Sequence, residues 1–321
     1  MEFIFITALH NFSIIEGLHN GDKIGDGIKI TNDSKVKSTF VNESLKPMIG
    51  AIEYNHLKTT EVFLYSSEKV SSEADPIAYL TSKMYTVQDF LMASWLKSDN
   101  SINFELCFLV SKGARGYNVT SNFLSHKYHS ADGSDINVRL SRKKLQEIRK
   151  IHVERLGIKS SQTPVADAQF SRDNSRLGRA LTWMNMARGN FDFSIRVANF
   201  CTALETLFST SNSEIAHQLS ERVAIFLEDN PEGRLIVFKK IKKAYDLRSK
   251  IIHGSTTTQT PSKNPKDISV DIEEISKRVV FKIIENDKIF EDFNKPDDQL
   301  GIILLSMIIS GRTPVDRFVT I

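Results

Sequence analysis

Apolar and polar residues alternate in the first half of the chain and recur every three to four positions in the second. Ile102, Phe104, Leu106, Phe108 and Val110 alternate with Asn103, Glu105 and Cys107, which predicts a half-buried strand. Gly113 and Gly116 supply a turn, and Tyr117 to Phe123 alternates again, so the segment reads as a β-hairpin. Phe3 to Ile6 and Thr60 to Tyr65 are further strand-like runs. Pro76 to Lys97 reads as a helix with proline in its first turn. A second helix is predicted over Arg142 to Leu156, capped by Ser141 and stopped by Gly157.

Beyond Gln169 the period changes. Val197, Phe200, Cys201, Leu204, Leu207 and Phe208 follow helical spacing, as do Ile215, Leu219 and Phe226, and then Val237, Ile241, Ala244, Tyr245 and Ile252. Further helices are expected over Asp271 to Phe290 and Asp298 to Ser310, with Ser255 to Lys266 as a polar loop between the third stripe and the next helix. The polar stretch Gly157 to Gln169, which contains Pro164 and has no period, marks a boundary. The expected fold class is α+β: a mixed α/β domain over 1–160, then an all-α bundle of five or six helices over 170–321.

Composition narrows this picture modestly. A chain of 321 residues is long enough for two cores. A net charge of +3 permits an anionic partner without demanding one. Cys107 and Cys201 are far apart and no His/Cys spacing of zinc type occurs, so neither a disulfide framework nor a metal site is expected, and a reducing cytoplasm fits. The apolar start, MEFIFITALHNFSIIEG, lacks a basic segment and reads as a strand rather than a signal peptide. The run from Leu300 to Ile309 is too short for a bilayer, which needs about 20 residues, so no membrane association is expected. GxxxxGK[ST], GxGxxG and GxSxG are missing, which argues against P-loop and α/β-hydrolase chemistry and implies no cofactor.

Three charges fall on apolar stripes. Glu205 follows Cys201 by one turn, Arg222 follows Leu219, and Arg248 follows Ala244. Buried charges need partners or a wet cleft, so the three either form a structural network or line a site. Arg248 is followed five positions later by His253 and then Gly254, a helix stop. A histidine on the last turn of a helix has its charged form favoured by the dipole. Beside an arginine that is always charged, it suits phosphodiester transfer, with Arg248 holding phosphate oxygens and His253 moving protons. RNA is the easier substrate without a metal, because its 2′-hydroxyl is a built-in nucleophile. RxxxxH alone is a frequent coincidence.

The wider set of residues is more specific. Ala203-Leu204-Glu205, then Ser220-Glu221-Arg222-Val223-Ala224, then Arg248-Ser249-x-Ile251-Ile252-His253-Gly254 resembles the Apea-like branch of the HEPN superfamily over about Asp192 to Gly254. The resemblance implies an all-α HEPN-type bundle that pairs as a homodimer. It implies a metal-independent endoribonuclease leaving a 2′,3′-cyclic phosphate, in the role of an antiphage, abortive-infection or toxin effector. By the same resemblance Arg248 and His253 are the catalytic pair, and Glu205, Arg222 and Ser249 support them. A sensing role for the first domain and a phage-derived trigger or partner protein belong to the same expectation. Ser249 stands where active members often carry Asn, Asp or His, and the family includes members that only bind RNA or protein.

Lys239, Lys242, Lys243 and Lys250 belong to a basic stretch leading to the motif. It reads either as a track for an RNA backbone or as a solvated helix face. Tyr245 either stacks on a base or packs in the core. His126 and His129 read as surface residues, and His10, His19, His56, His152 and His217 stand alone.

Overall fold

A computed structural model describes residues 1–113, 116–124, 127–156, 175–210, 215–252 and 264–314. The chain forms two compact units, Met1–Ser130 with Ser134–Pro164, and Ala131–Gly133 with Val165–Ile321.

Unit 1 is built on strands β1 (Glu2–His10), β2 (Phe12–Ile14), β3 (Asp22–Gly25) and β4 (Ile28–Thr31). Helices α1 (Ser34–Phe40), α2 (Lys46–Ile49) and α3 (Ala51–Thr59) follow, then β5 (Val62–Lys69) and α4 (Pro76–Lys97). Next come β6 (Asn103–Gly113), β7 (Gly116–Asn122), β8 (Val138–Leu140) and α5 (Arg142–Ile151), which ends in one turn of π-helix, His152–Leu156. Six strands form an antiparallel sheet in the order β3-β4-β5-β1-β6-β7, while β2 and β8 pair in parallel. The β6–β7 hairpin closes with Gly113 opposite Gly116, and Gly116 takes a φ of 116° that side chains rarely tolerate.

The expected simple alternation of β6 gives way at Cys107, from which every residue to Ser111 is buried. The reason is that both sheet faces are covered. Ile6, Ala8, Phe63, Tyr65, Phe108 and Val110 pack with Val36, Phe40, Ile49, Tyr54 and Leu57 of α1–α3. The 22-residue α4, capped by Asp75, also packs on β1 and β6 and buries Leu80, Met84, Val87, Leu91 and Trp95. At roughly 25 cal/mol per Å² of apolar surface, such two-sided burial is the main stabilising term for this unit.

Unit 2 is helical: α6 (Arg176–Arg188), α7 (Phe193–Phe208), α8 (Ile215–Leu227), α9 (Pro231–Ile252), α10 (Pro265–Glu285), α11 (Asp287–Asp292) and α12 (Asp297–Ser310). The expectation of five or six helices missed α6, whose apolar positions are diluted by three arginines and two glycines between Arg176 and Gly189. The single helix expected over Asp271 to Phe290 is two, because the Asn286 side chain accepts the backbone N–H groups of Lys288 and Ile289 and so starts α11 afresh. Pro265 opens α10 within the segment expected to be loop, with Asn264 as its cap. Helix α7 is central, packing on α6, α8, α9 and α10. Phe208, Phe226 and Phe293 pack edge to face, with ring centroids 5.3–5.5 Å apart. No helix among the described residues is long and apolar enough to cross a membrane.

Candidate functional site

Helix α7 begins where Asp192 accepts the backbone N–H groups of Ser194 and Ile195, and it buries Val197, Phe200, Cys201, Leu204 and Leu207. Glu205 lies one turn past Cys201, at the margin of that stripe. Helix α9 buries Val237, Ile241, Ala244 and Leu247, and Arg248 extends the same face. Packing of α7 on α9 brings the two charges together: Arg248 Nη2 lies 3.3 Å from Glu205 Oε2. Arg248 Nη1 donates to the Tyr245 hydroxyl at 3.2 Å, and the guanidinium carbon stands 5.1 Å from the centroid of that ring. Burial, and then the Glu205 carboxylate, raise the Tyr245 pKa, so the phenol stays protonated.

The cluster is not internally closed. Glu205 Oε1 and Arg248 Nε are buried and have no hydrogen-bond partner among the described residues. Yet the side chains of Arg248 and Glu205 are 22 % and 17 % exposed, so a solute can reach the pair. One unsatisfied acceptor and one unsatisfied cationic donor on two paired side chains suit a ligand that carries both a hydroxyl and anionic oxygens.

Other expected site residues fall differently. Arg222 does not join Glu205. Its Nη1 donates to the Phe208 carbonyl at 2.5 Å and to Thr210 Oγ1 at 3.2 Å, satisfying the exposed end of α7. Its role is that of a helix clamp beside the pair. Ser249 is half-buried on α9, next to Arg248. His253 lies outside the described residues, as do Gly254 and His126.

The lysines do not converge on Arg248. At 100° per residue, Lys239, Lys242, Lys243 and Lys250 share the side of α9 opposite Arg248, with Asp246 in their midst. Lys239, Lys242 and Lys250 are exposed, while Lys240, on the flank, pairs with Asp271 at 2.8 Å. Rows of residues three and four apart stay on one helix face, so closeness in sequence to the motif did not bring these charges to it.

The most deeply buried ion pair among the described residues of unit 2 went unread in the sequence. Arg196 Nη2 lies 2.6 Å from Glu273 Oε2, each side chain 1 % exposed, joining α7 to α10. The rule that singled out Glu205 applies equally to Arg196, one turn before Phe200. Arg176 pairs with Asp297 and donates to the carbonyls of Thr206 and Ser209.

In unit 1, one histidine expectation is corrected and three further histidines are placed. His129 is buried rather than on the surface. His152 is also buried, and desolvation pushes its pKa down to about 4. His10 and His56, isolated in sequence, stack with centroids 4.6 Å apart.

Comparison of the chain with protein-family models, with curated proteins and with solved structures finds no match.

Proposed function

We propose that the helical unit is a metal-independent endoribonuclease of HEPN type, an antiphage, abortive-infection or toxin effector whose first unit senses the trigger. The observation that carries this reading is the accessible Arg248–Glu205–Tyr245 cluster, with a free acceptor on Glu205 and a free donor on Arg248. In this reaction the ribose 2′-oxygen attacks phosphorus and the P–O5′ bond breaks. The 2′ proton leaves to a base and the 5′-oxygen gains one, giving a 2′,3′-cyclic phosphate. Arg248 stabilises the charge that gathers on the non-bridging oxygens. Glu205 holds the guanidinium in place and offers Oε1 to the attacking hydroxyl. His253, assigned by its place in the motif, moves the proton.

A homodimer through the helical unit belongs to the same proposal. Helix α12 supports it: Leu300, Leu304 and Met307 are buried, whereas Ile302, Leu305 and Ile309 form an exposed apolar stripe.

A second reading, a non-cutting HEPN module that binds RNA or protein, is favoured by one feature. Glu205 already neutralises Arg248, and the lysine row lies on the other side of α9.

Cleavage of total and transfer RNA in the presence of EDTA separates the two. Loss of the guanidinium in Arg248→Ala should lower the rate by at least ~10²-fold. His253→Ala should lower it by ~10²–10⁴-fold. RNA retention by both variants, with no cutting by the wild type, would support the binding module instead. Equal cutting by all three proteins would sink the assignment.

A further inference from the structure

Unit 1 gathers three metal-ligating side chains from distant parts of the sequence. His10 ends β1, His56 lies on α3 and Glu105 lies on β6. The β1–β6 register slips between Thr7 and Leu9, so that Glu105 and Leu106 together oppose Ala8. Such a bulge re-aims side chains. Here His10 Nε2 stands 3.9 Å from Glu105 Oε1, and the His56 ring stacks on His10 with 17° between the planes. One ligand atom from each of the three residues falls within 4.8 Å of the others.

The two histidines are not satisfied by protein. Nε2 of His10 and Nε2 of His56 are both buried and lack a hydrogen-bond partner among the described residues. Orphaned buried nitrogens cost about 1–3 kcal/mol each, and stacked rings repel one another if both are protonated. Desolvation, with smaller contributions from His56 and Lys127, lowers the His10 pKa against the pull of Glu105. The neutral imidazole is the form that ligates metals.

We propose that His10, His56 and Glu105 bind one divalent transition-metal ion of the zinc class. Two imidazoles and a carboxylate suit zinc, cobalt, nickel or copper and ill suit magnesium or calcium, which prefer all-oxygen sets. A tetrahedral ion with bonds of about 2.1 Å sets its ligand atoms about 3.4 Å apart. Closing the present spacing needs shifts of up to about 1.4 Å, and because the nitrogen lone pair lies in the ring plane, the His56 ring must also turn out of its stack on His10; side-chain rotation of His56 and of the exposed Glu105 supplies both. Three protein ligands leave one position open. His10 and Glu105 also line a cavity of about 550 Å³, together with Asn11, Asn103, Lys127 and Asp135, which gives a ligand access to them. This inference is independent of the nuclease reading.

The test titrates Co²⁺, and then Zn²⁺, into the full chain after chelator treatment and dialysis. Heat and visible absorption are read together. The expected result is one Co²⁺ per chain with a ligand-field spectrum that Zn²⁺ abolishes and Mg²⁺ leaves unchanged. His10→Ala and His56→Ala lose that equivalent, and Glu105→Gln weakens it at least ~10-fold. His19→Ala, which removes an exposed histidine paired with Asp33, leaves it intact. Should His10→Ala fail to fold, His56→Gln at a half-buried position of α3 gives the decisive measurement, with circular dichroism confirming its fold. The absence of stoichiometric Co²⁺ and Zn²⁺ binding by the wild type overturns the proposal. So does its retention in folded His56 variants.

Discussion

Replacing Glu273 by glutamine tests how firmly the candidate site is held. Glu273 is not one of the Arg248–Glu205–Tyr245 cluster. It fixes α7, which carries Glu205, to α10, by a 2.6 Å contact with Arg196 in which both side chains are 1 % exposed. In Glu273→Gln the Arg196 charge stays buried without its counter-charge. Removing one member of a buried pair costs about 3–5 kcal/mol, because the survivor has left water and lost its counter-charge. For a unit of this size, ~2–4 °C per kcal/mol predicts a fall in Tm of roughly 6–20 °C. The two tryptophans make the measurement selective, since Trp95 lies in unit 1 and Trp183 in unit 2. In a Trp95→Phe background, fluorescence in urea follows unit 2 through Trp183 alone. The midpoint should drop with an unchanged slope. The double variant Arg196→Met/Glu273→Leu should regain most of the loss, because an apolar pair of similar volume carries no desolvation cost. A single-variant penalty below ~1 kcal/mol, or a double variant no better than the single, would refute the argument that this ion pair locks α7 to α10.

Two further outcomes follow from burial. His152 has a folded pKa of about 4 against an unfolded value near 6.5, so the unfolded chain binds the extra proton. Unit 1 keeps its full stability above pH 6.5 and loses about 2 kcal/mol by pH 5, as pH falls toward the folded value. Urea melts followed by Trp95 in Trp183→Phe should show this slope, and His152→Leu should flatten it; a slope of equal size in that variant would assign the effect elsewhere. On α12, Ile302→Glu combined with Leu305→Glu should convert a dimer to a monomer in sedimentation velocity, and a wild type that sediments as a monomer at high concentration would contradict pairing through this face.

The sequence disclosed elements better than contacts. Alternation located β6 and β7, and spacing with caps located α4, α5 and α7, because those signals are local. Helices α1–α3 escaped because short, mixed segments such as Lys46–Ile49 owe their form to the sheet they cover. At the candidate site, Glu205 and Arg248 were legible as charges on apolar stripes, and the structure pairs them. Arg222 was legible as inward-facing, but whether it meets a carboxylate or a helix end depends on how α8 crosses α7. The lysine row is a matter of phase around one helix, which a count of basic residues ignores. His10, His56 and Glu105 share no spacing at all, since only sheet register and the placement of α3 bring them together.

The position of β1 has a consequence for how unit 1 comes into being on the ribosome. It lies between β5 and β6, so Thr7 faces Leu64 on one side and Cys107 on the other, and β2 just after it waits for β8, where Phe12 pairs with Val138. A nascent chain therefore exposes Phe3, Phe5, Ile6 and Leu9 until β5 has emerged, and the other edge of β1 stays unpaired until β6 follows. Pairing across such separations is slow, and unpaired apolar strands invite association with neighbouring chains. Unit 1 should therefore depend on chaperones during synthesis, whereas the helical unit, whose α6–α7 and α8–α9 pairs are neighbours in sequence, can assemble as it appears.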